Sequence, residues 1–202
     1  MAARAHSVDP RAERVRTRLR EAAFALAHER RVDEITVGDI VARAEVSRQV
    51  FYQHFRDRDD AVATAFTVAF AAATADMDCL DGTTCDARAR ILRLFDFAAE
   101  HRSMYRNIVA SAVTQRVVTA FRAELQPACV QIAKQSMPVV SPIASLTPES
   151  VTRFLVGGFM EVLRSWMEDP DSTDLSGRVS AALDTVNALL GLTAPPKGSQ
   201  HG

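Results

Sequence analysis

Within SRQVFYQHFRDR, residues 47 to 58, Arg48, Gln49, Tyr52 and His54 put hydrogen-bond donors and aromatic edges onto one short stretch. Val50, Phe51 and Phe55 alternate with them as apolar anchors. Such a segment, wound as a helix, packs one face inward and offers the other to the base edges and phosphates of nucleic acid. Adjacent helical positions point about 100° apart, so Phe51 and Tyr52 cannot share a buried stripe. The reading places Phe51 inside and Tyr52 at the surface. This chemistry is recognition rather than bond-making. The chain has no glycine-rich phosphate loop, no metal-ligand spacing, and no nucleophile paired with a base at a recognisable interval.

A reading helix must be held by a partner, and residues 36 to 46 supply one. Thr36 is an N-cap with Asp39 three residues on, a near relative of the capping box, so a helix begins at Val37. Val37, Ile40, Val41 and Ala44 give it a buried stripe. Ser47 starts the next helix after only Glu45 and Val46. Two short helices joined by so tight a turn form a helix-turn-helix.

From Leu19 to Phe66 these residues resemble the DNA-binding domain of the tetracycline-repressor (TetR) family: LREAAFALA for helix 1, ITVGDIVARAEVS for helix 2 and the turn, SRQVFYQHF for the recognition helix, and DRDDAV opening helix 4. Two positions depart from the family pattern. Arg31 and Glu45 stand where the family usually has glycine, and if the backbone there is left-handed each costs about 1 kcal/mol. The resemblance implies that Thr36, Tyr52, His54 and Arg58 contact the DNA backbone. It further implies that Ser47 opens the recognition helix, that Arg48 and Gln49 reach base edges, and that Val50 meets a thymine methyl. For His54 a capping or intrahelical hydrogen bond is an equal alternative.

Net charge is −1, yet residues 1 to 31 carry eight arginines (4, 11, 14, 16, 18, 20, 30 and 31) against four acids (9, 13, 21 and 29). Screening beyond about 10 Å makes the local excess the relevant quantity. These arginines either solvate helix 1 or attract phosphate, and the adjacent motif favours phosphate. No stretch is apolar enough for a bilayer span, and the arginine-bearing N-terminus lacks the apolar core of an export signal, so the expected location is the cytoplasm, with no membrane partner. Cys79 and Cys85 bracket LDGTT without a cation to lower a thiol pKa, and read as inert thiols, a redox pair being the sharper alternative. The five histidines are scattered, so no metal and no cofactor is expected.

Periodicity gives an all-α chain of about nine helices: an arm over residues 1–10, a helix-turn-helix domain over 11–57, a helical effector-binding and dimerisation domain over 58–193, and a disordered tail over 194–202. Helix 1 turns Val15, Leu19, Ala23 and Leu26 inward. Asp57 caps helix 4, with Asp60 at N3. Pro127 should kink or split the long helix that begins near Thr114. Phe70, Phe95, Phe97, Tyr105, Phe121, Phe159, Met160 and Trp166 form an aromatic and methionine set that is core or cavity wall. Family resemblance implies that some of them line a pocket for an apolar small molecule. Gly157 and Gly158 cost about 1 kcal/mol each in mid-helix, which suggests a close helix approach. With Val179, Leu183 and Val186 they form the expected homodimer interface, similar to the family's C-terminal four-helix bundle. The function expected is a dimeric regulator, most simply a repressor, on a near-palindromic double-stranded DNA operator and released by a small molecule. A constitutive or thiol-responsive DNA-binding regulator is the alternative; an all-helical enzyme and a protein-binding adaptor are the rivals from other classes.

Overall fold

The computed structural model describes residues 10–75, 86–109, 111–169, 171, 173–190 and 192. Residues 1–9 of the expected arm, Cys79, Cys85 and the expected tail over 194–202 lie outside the described residues. Among those described, every regular element is helical: α1 (Pro10–Glu29), a 3-10 turn (Val32–Glu34), α2 (Val37–Arg43), α3 (Arg48–His54), α4 (Arg58–Ala75), α5 (Ala87–Glu100), α6 (Arg102–Ile108), α7 (Val113–Val140), α8 (Pro148–Glu168) and α9 (Leu175–Leu189). The chain divides into two compact units, one of residues 1–73 and 101–120, the other of 74–100 and 121–202.

In the first unit, α1 buries Leu19, Ala22, Ala23, Leu26 and Ala27, while Val15 is only half-buried. α2 and α6 pack against α1, α3 packs against α2, and Ile40, Phe51, Phe55, Val62, Phe66 and Tyr105 are buried in the same unit. The rings of Phe66 and Phe70 stack at 5.5 Å, and Tyr105 meets Phe66 edge-on at 5.6 Å. α6 is tied to the end of α1 by polar groups. Asn107 Nδ2 donates to the carbonyls of Ala27 and His28 at 2.9 and 3.2 Å. His28 Nε2 shares a hydrogen bond with His101 Nδ1 at 3.0 Å. The two Asn107 bonds satisfy carbonyls that the end of a helix leaves without intrahelical partners.

The second unit is built on α5, α8 and α9 with the later turns of α7. Phe95 lies 5.1 Å from Phe121 and 6.2 Å from Phe159. One expectation is corrected here: Pro127 does not split α7, which runs from Val113 to Val140 through both Pro127 and Pro138. Proline removes one backbone bond at a cost of about 3 kcal/mol. Pro127 is exposed, as is Ala123, whose carbonyl loses the donor, so water can serve it. The neighbouring Leu125, Ala128, Cys129 and Ile132 are buried and hold the helix in place. Burial also pushes the Cys129 thiol up to about 12, which keeps it protonated and unreactive.

Candidate nucleic-acid interface

Two caps fix the start of each helix in the motif. Thr36 and Asp39 form a reciprocal capping box: the Asp39 N–H donates to Thr36 Oγ1 at 3.1 Å, and the Thr36 N–H donates to Asp39 Oδ2 at 2.8 Å. The Thr36 hydroxyl also donates to Asp39 Oδ2 at 2.7 Å. That bond, with the Thr36 N–H and Arg30 beside it, holds the Asp39 carboxyl at about 2, below the usual carboxylate range. At α3, the Val50 N–H donates to Ser47 Oγ at 3.3 Å.

The turn between the two helices is a Schellman closure. The Val46 N–H donates to the Val41 carbonyl at 3.0 Å and the Glu45 N–H to that of Ala42 at 3.3 Å. Glu45, in the left-handed place this closure needs, has φ 53° and is the single non-glycine residue with positive φ among those described. Arg31, the other departure from the family pattern, has φ −57°, so glycine has no conformational advantage there.

α3 sorts its residues by face as its sequence suggests. Phe51 is 0% exposed and Phe55 is buried, whereas Tyr52 is 59% exposed, standing edge-on to Phe51 at 5.3 Å. Arg48 and Gln49 are exposed, and Val50 and His54 are half-buried. Arg48 folds back over the start of α2, where a Cβ on Gly38 would stand 3.0 Å from its Nη2. Glycine at position 38 therefore leaves room for the guanidinium. Thr36 sits beside it, so Thr36, Arg48, Gln49 and Tyr52 are accessible from one motif. Arg58 is placed differently: its Nη1 donates to the carbonyls of Asp33 and Ile35, both at 3.0 Å, and its Nε to Asp59 at 2.7 Å. It staples the 3-10 turn to the start of α4.

Sequence reading did not reach one node. Asp57 caps α4 as expected, its Oδ1 accepting from the Asp60 N–H at 2.8 Å. Asp60 additionally accepts from the Arg56 N–H at 3.2 Å and from Arg116, on α7, at 3.0 Å. The partners are 56 residues apart, a spacing with no periodic signature. Asp60 therefore links α4 to the exit of the recognition helix and to α7.

The expected pocket residues fall into both units. Phe70 and Tyr105 are buried in the first; Phe95, Phe97, Phe121, Phe159, Met160 and Trp166 are buried in the second. The expected dimer residues also separate. Val179 and Leu183 are 0% and 1% exposed, within the core that α9 makes with α5 and α8 of the same chain. Val186 is half-buried, and Gly157 and Gly158 are exposed with nothing within 4 Å of an added Cβ. They share the outer side of α8 with Phe154, 69% exposed. Among the described residues no group of three or more metal-ligating side chains occurs, and no helix is long and apolar enough to cross a membrane.

Residues 19–63 match the family of bacterial regulatory proteins named tetR. No curated protein matches the chain significantly. Solved structures share its fold at low identity. FadR from Bacillus subtilis, in complex with stearoyl-CoA, is 14% identical with a TM-score of 0.64, over 84% of this chain and 96% of that one. A tetR-type transcriptional regulator from Streptomyces avermitilis is 22% identical with a TM-score of 0.60, over 88% and 98%. DhaS, a dihydroxyacetone kinase operon activator, is 15% identical with a TM-score of 0.59, over 90% and 98%. With the motif built on residues 36 to 55, residues 19–63 are a DNA-binding domain of the tetR type found in bacterial regulatory proteins, and the chain as a whole shares the fold of these solved structures.

Proposed function

We propose that the protein is a homodimeric repressor that binds a near-palindromic operator through α3 of each copy and leaves it when an apolar small molecule binds. The observation that carries this reading is the division of α3, with Phe51 and Phe55 anchored in the core and Arg48, Gln49 and Tyr52 turned outward. Arg48 and Gln49 suit base edges in the major groove, Val50 a thymine methyl, and Tyr52, with Thr36 and Ser47 at the helix starts, the phosphates. His54, at the end of α3, is assigned to the backbone. Arg58 acts at one remove, by holding the 3-10 turn and the start of α4 against the motif.

A second copy is needed because a helix of seven residues reads only a few base pairs. The outer side of α8, with Phe154, Gly157 and Gly158, supports pairing there, joined by Val186 of α9, while Val179 and Leu183 support it from behind. Stearoyl-CoA bound to FadR supports an effector with a long apolar part, lodged among residues such as Phe95, Phe121, Phe159, Met160 and Trp166. The work is binding rather than catalysis, done where the DNA is, in the cytoplasm. Release requires that the ligand prefer the DNA-incompetent arrangement, with a coupling of about 1 to 3 kcal/mol.

Selection from a random duplex pool tests the operator, and a palindromic consensus with half-sites spaced by about one DNA turn or somewhat more is expected. Titrating long-chain acyl-CoA into the operator complex tests the effector. Absence of any enriched sequence would remove the operator reading; a stabilising ligand that leaves operator affinity unchanged would remove the sensor. A reporter gene behind the selected operator fixes the sign of regulation.

A further inference from the structure

Charge in the first unit is cancelled unevenly. Arg30, Arg43, Arg56 and Arg58 each lie 2.7 to 3.2 Å from a carboxylate, those of Asp39, Glu29, Asp57 and Asp59. On α1, Arg20 pairs with Glu13 at 3.0 Å. Paired guanidiniums project little field, because each positive charge is offset at short range. Arg14 and Arg18 differ. Both are exposed, and neither has a carboxylate within ion-pair distance among the described residues.

Their spacing of four stacks them on one face of α1, and Arg11, also exposed, continues that face one turn earlier. Like charges so placed repel each other, a cost to the isolated protein that a polyanion would reverse. Arg11, Arg14 and Arg18 wall one surface groove. Arg18 also lines a second with Glu21, Ala22, Arg43, Ala44 and Glu45, at the end of α2 and the turn that leads into Ser47 and α3. The exposed charges of Arg14 and Arg18 therefore run along α1 to the turn that precedes the recognition helix.

We infer that Arg14 and Arg18, with Arg11 at the end of the same face, grip the phosphate backbone beside the groove that α3 enters, extending the DNA site along α1. The inference rests on the DNA-binding reading above. Guanidinium suits the task, since its planar fork matches two phosphate oxygens. The contacts carry no sequence information, so they strengthen binding to operator and to unrelated duplex alike.

The test measures affinity of the full chain for a mixed-sequence duplex over a salt series. Each phosphate contact contributes about 0.9 to the slope of log affinity against log salt. Arg14→Gln with Arg18→Gln should therefore flatten the slope by about 1.8, and shrink the affinity lost between about 50 and 200 mM salt by about 12-fold. Arg16→Gln removes an exposed charge two residues away, on the far side of α1, and should leave the slope unchanged. An unchanged slope in the double variant overturns the inference. So does an Arg16→Gln slope that falls as far as that of Arg14→Gln alone, because the effect would then be a diffuse field. A wild-type chain that binds no duplex sinks the DNA-binding reading along with this one, whereas wild-type binding with an unaltered double variant sinks only the ridge on α1.

Discussion

Replacing Glu45 with glycine should stabilise the protein, an unusual expectation for a helix-turn-helix residue. Glu45 closes α2 with φ 53°, and two backbone bonds, from Val46 to Val41 and from Glu45 to Ala42, hold it there. A left-handed conformation costs a residue with a Cβ about 1 to 2 kcal/mol. Glycine escapes that cost but gives back about 0.4 to 1 kcal/mol, because its unfolded chain has more freedom to lose. The balance is a gain of about 0.5 to 1 kcal/mol, or about 2 to 4 °C per kcal/mol in a chain of this size. Glu45→Ala is the necessary companion. It removes the same charge and keeps the same strain, so its stability should stay near wild type. Urea titrations and thermal melts of the three proteins measure the order directly. An alanine variant as stable as the glycine variant, or a glycine variant less stable than wild type, would refute the strain argument. DNA affinity separates the same way: a change common to both variants comes from the lost charge, and any remainder from the turn.

Gln49→Ala should lower discrimination between operator and scrambled duplex by about 1 to 3 kcal/mol, whereas Tyr52→Phe should weaken both equally; equal losses for both variants in a competition assay would undo the assignment of roles. Gly157→Ala should stabilise an isolated chain by about 1 kcal/mol, since nothing lies within 4 Å of the new Cβ, and Gly158→Leu should break the dimer without unfolding it. A Gly158→Leu protein that sediments as a normal dimer would take α8 out of the interface. The Asp39 carboxyl, held at about 2, is lowered on folding, so its contribution is fully present above the ordinary carboxylate range and is lost as pH falls toward 2. The stability gap between wild type and Asp39→Asn should accordingly narrow from about pH 5 downward, and a gap that is flat across that window would show that the capping box does not carry it.

What could be read from the sequence was what local chemistry dictates. Thr36 with Asp39, Ser47 and Asp57 mark helix starts because a cap acts over three residues, and each takes its expected place. Phe51 and Tyr52 separate by face for the same local reason. Pro127 leaves α7 unsplit because one missing hydrogen bond is a local cost, whereas the burial that outweighs it is set by the fold. Val179 and Leu183 show the limit most clearly. An apolar stripe states that something covers it, and only the fold tells that α5 and α8 do so within the chain.

The residues sequence could not place are those that connect the motif to the rest of its unit. Arg58 has the charge expected of a phosphate contact, but its guanidinium is spent on the carbonyls of Asp33 and Ile35. Asp60 has the look of a helix cap, but it also takes Arg116 from α7 and the Arg56 N–H at the exit of α3. These two residues make the start of α4 a junction rather than a linker. A displacement of α4 there strains the Asp60 bond to the exit of α3 and the Arg58 bonds to the 3-10 turn. Through the same bonds a shift of α4 or of the first turns of α7 would be felt at Arg56, where α3 ends, and at the 3-10 turn before α2, with no contact to the exposed side chains of α3.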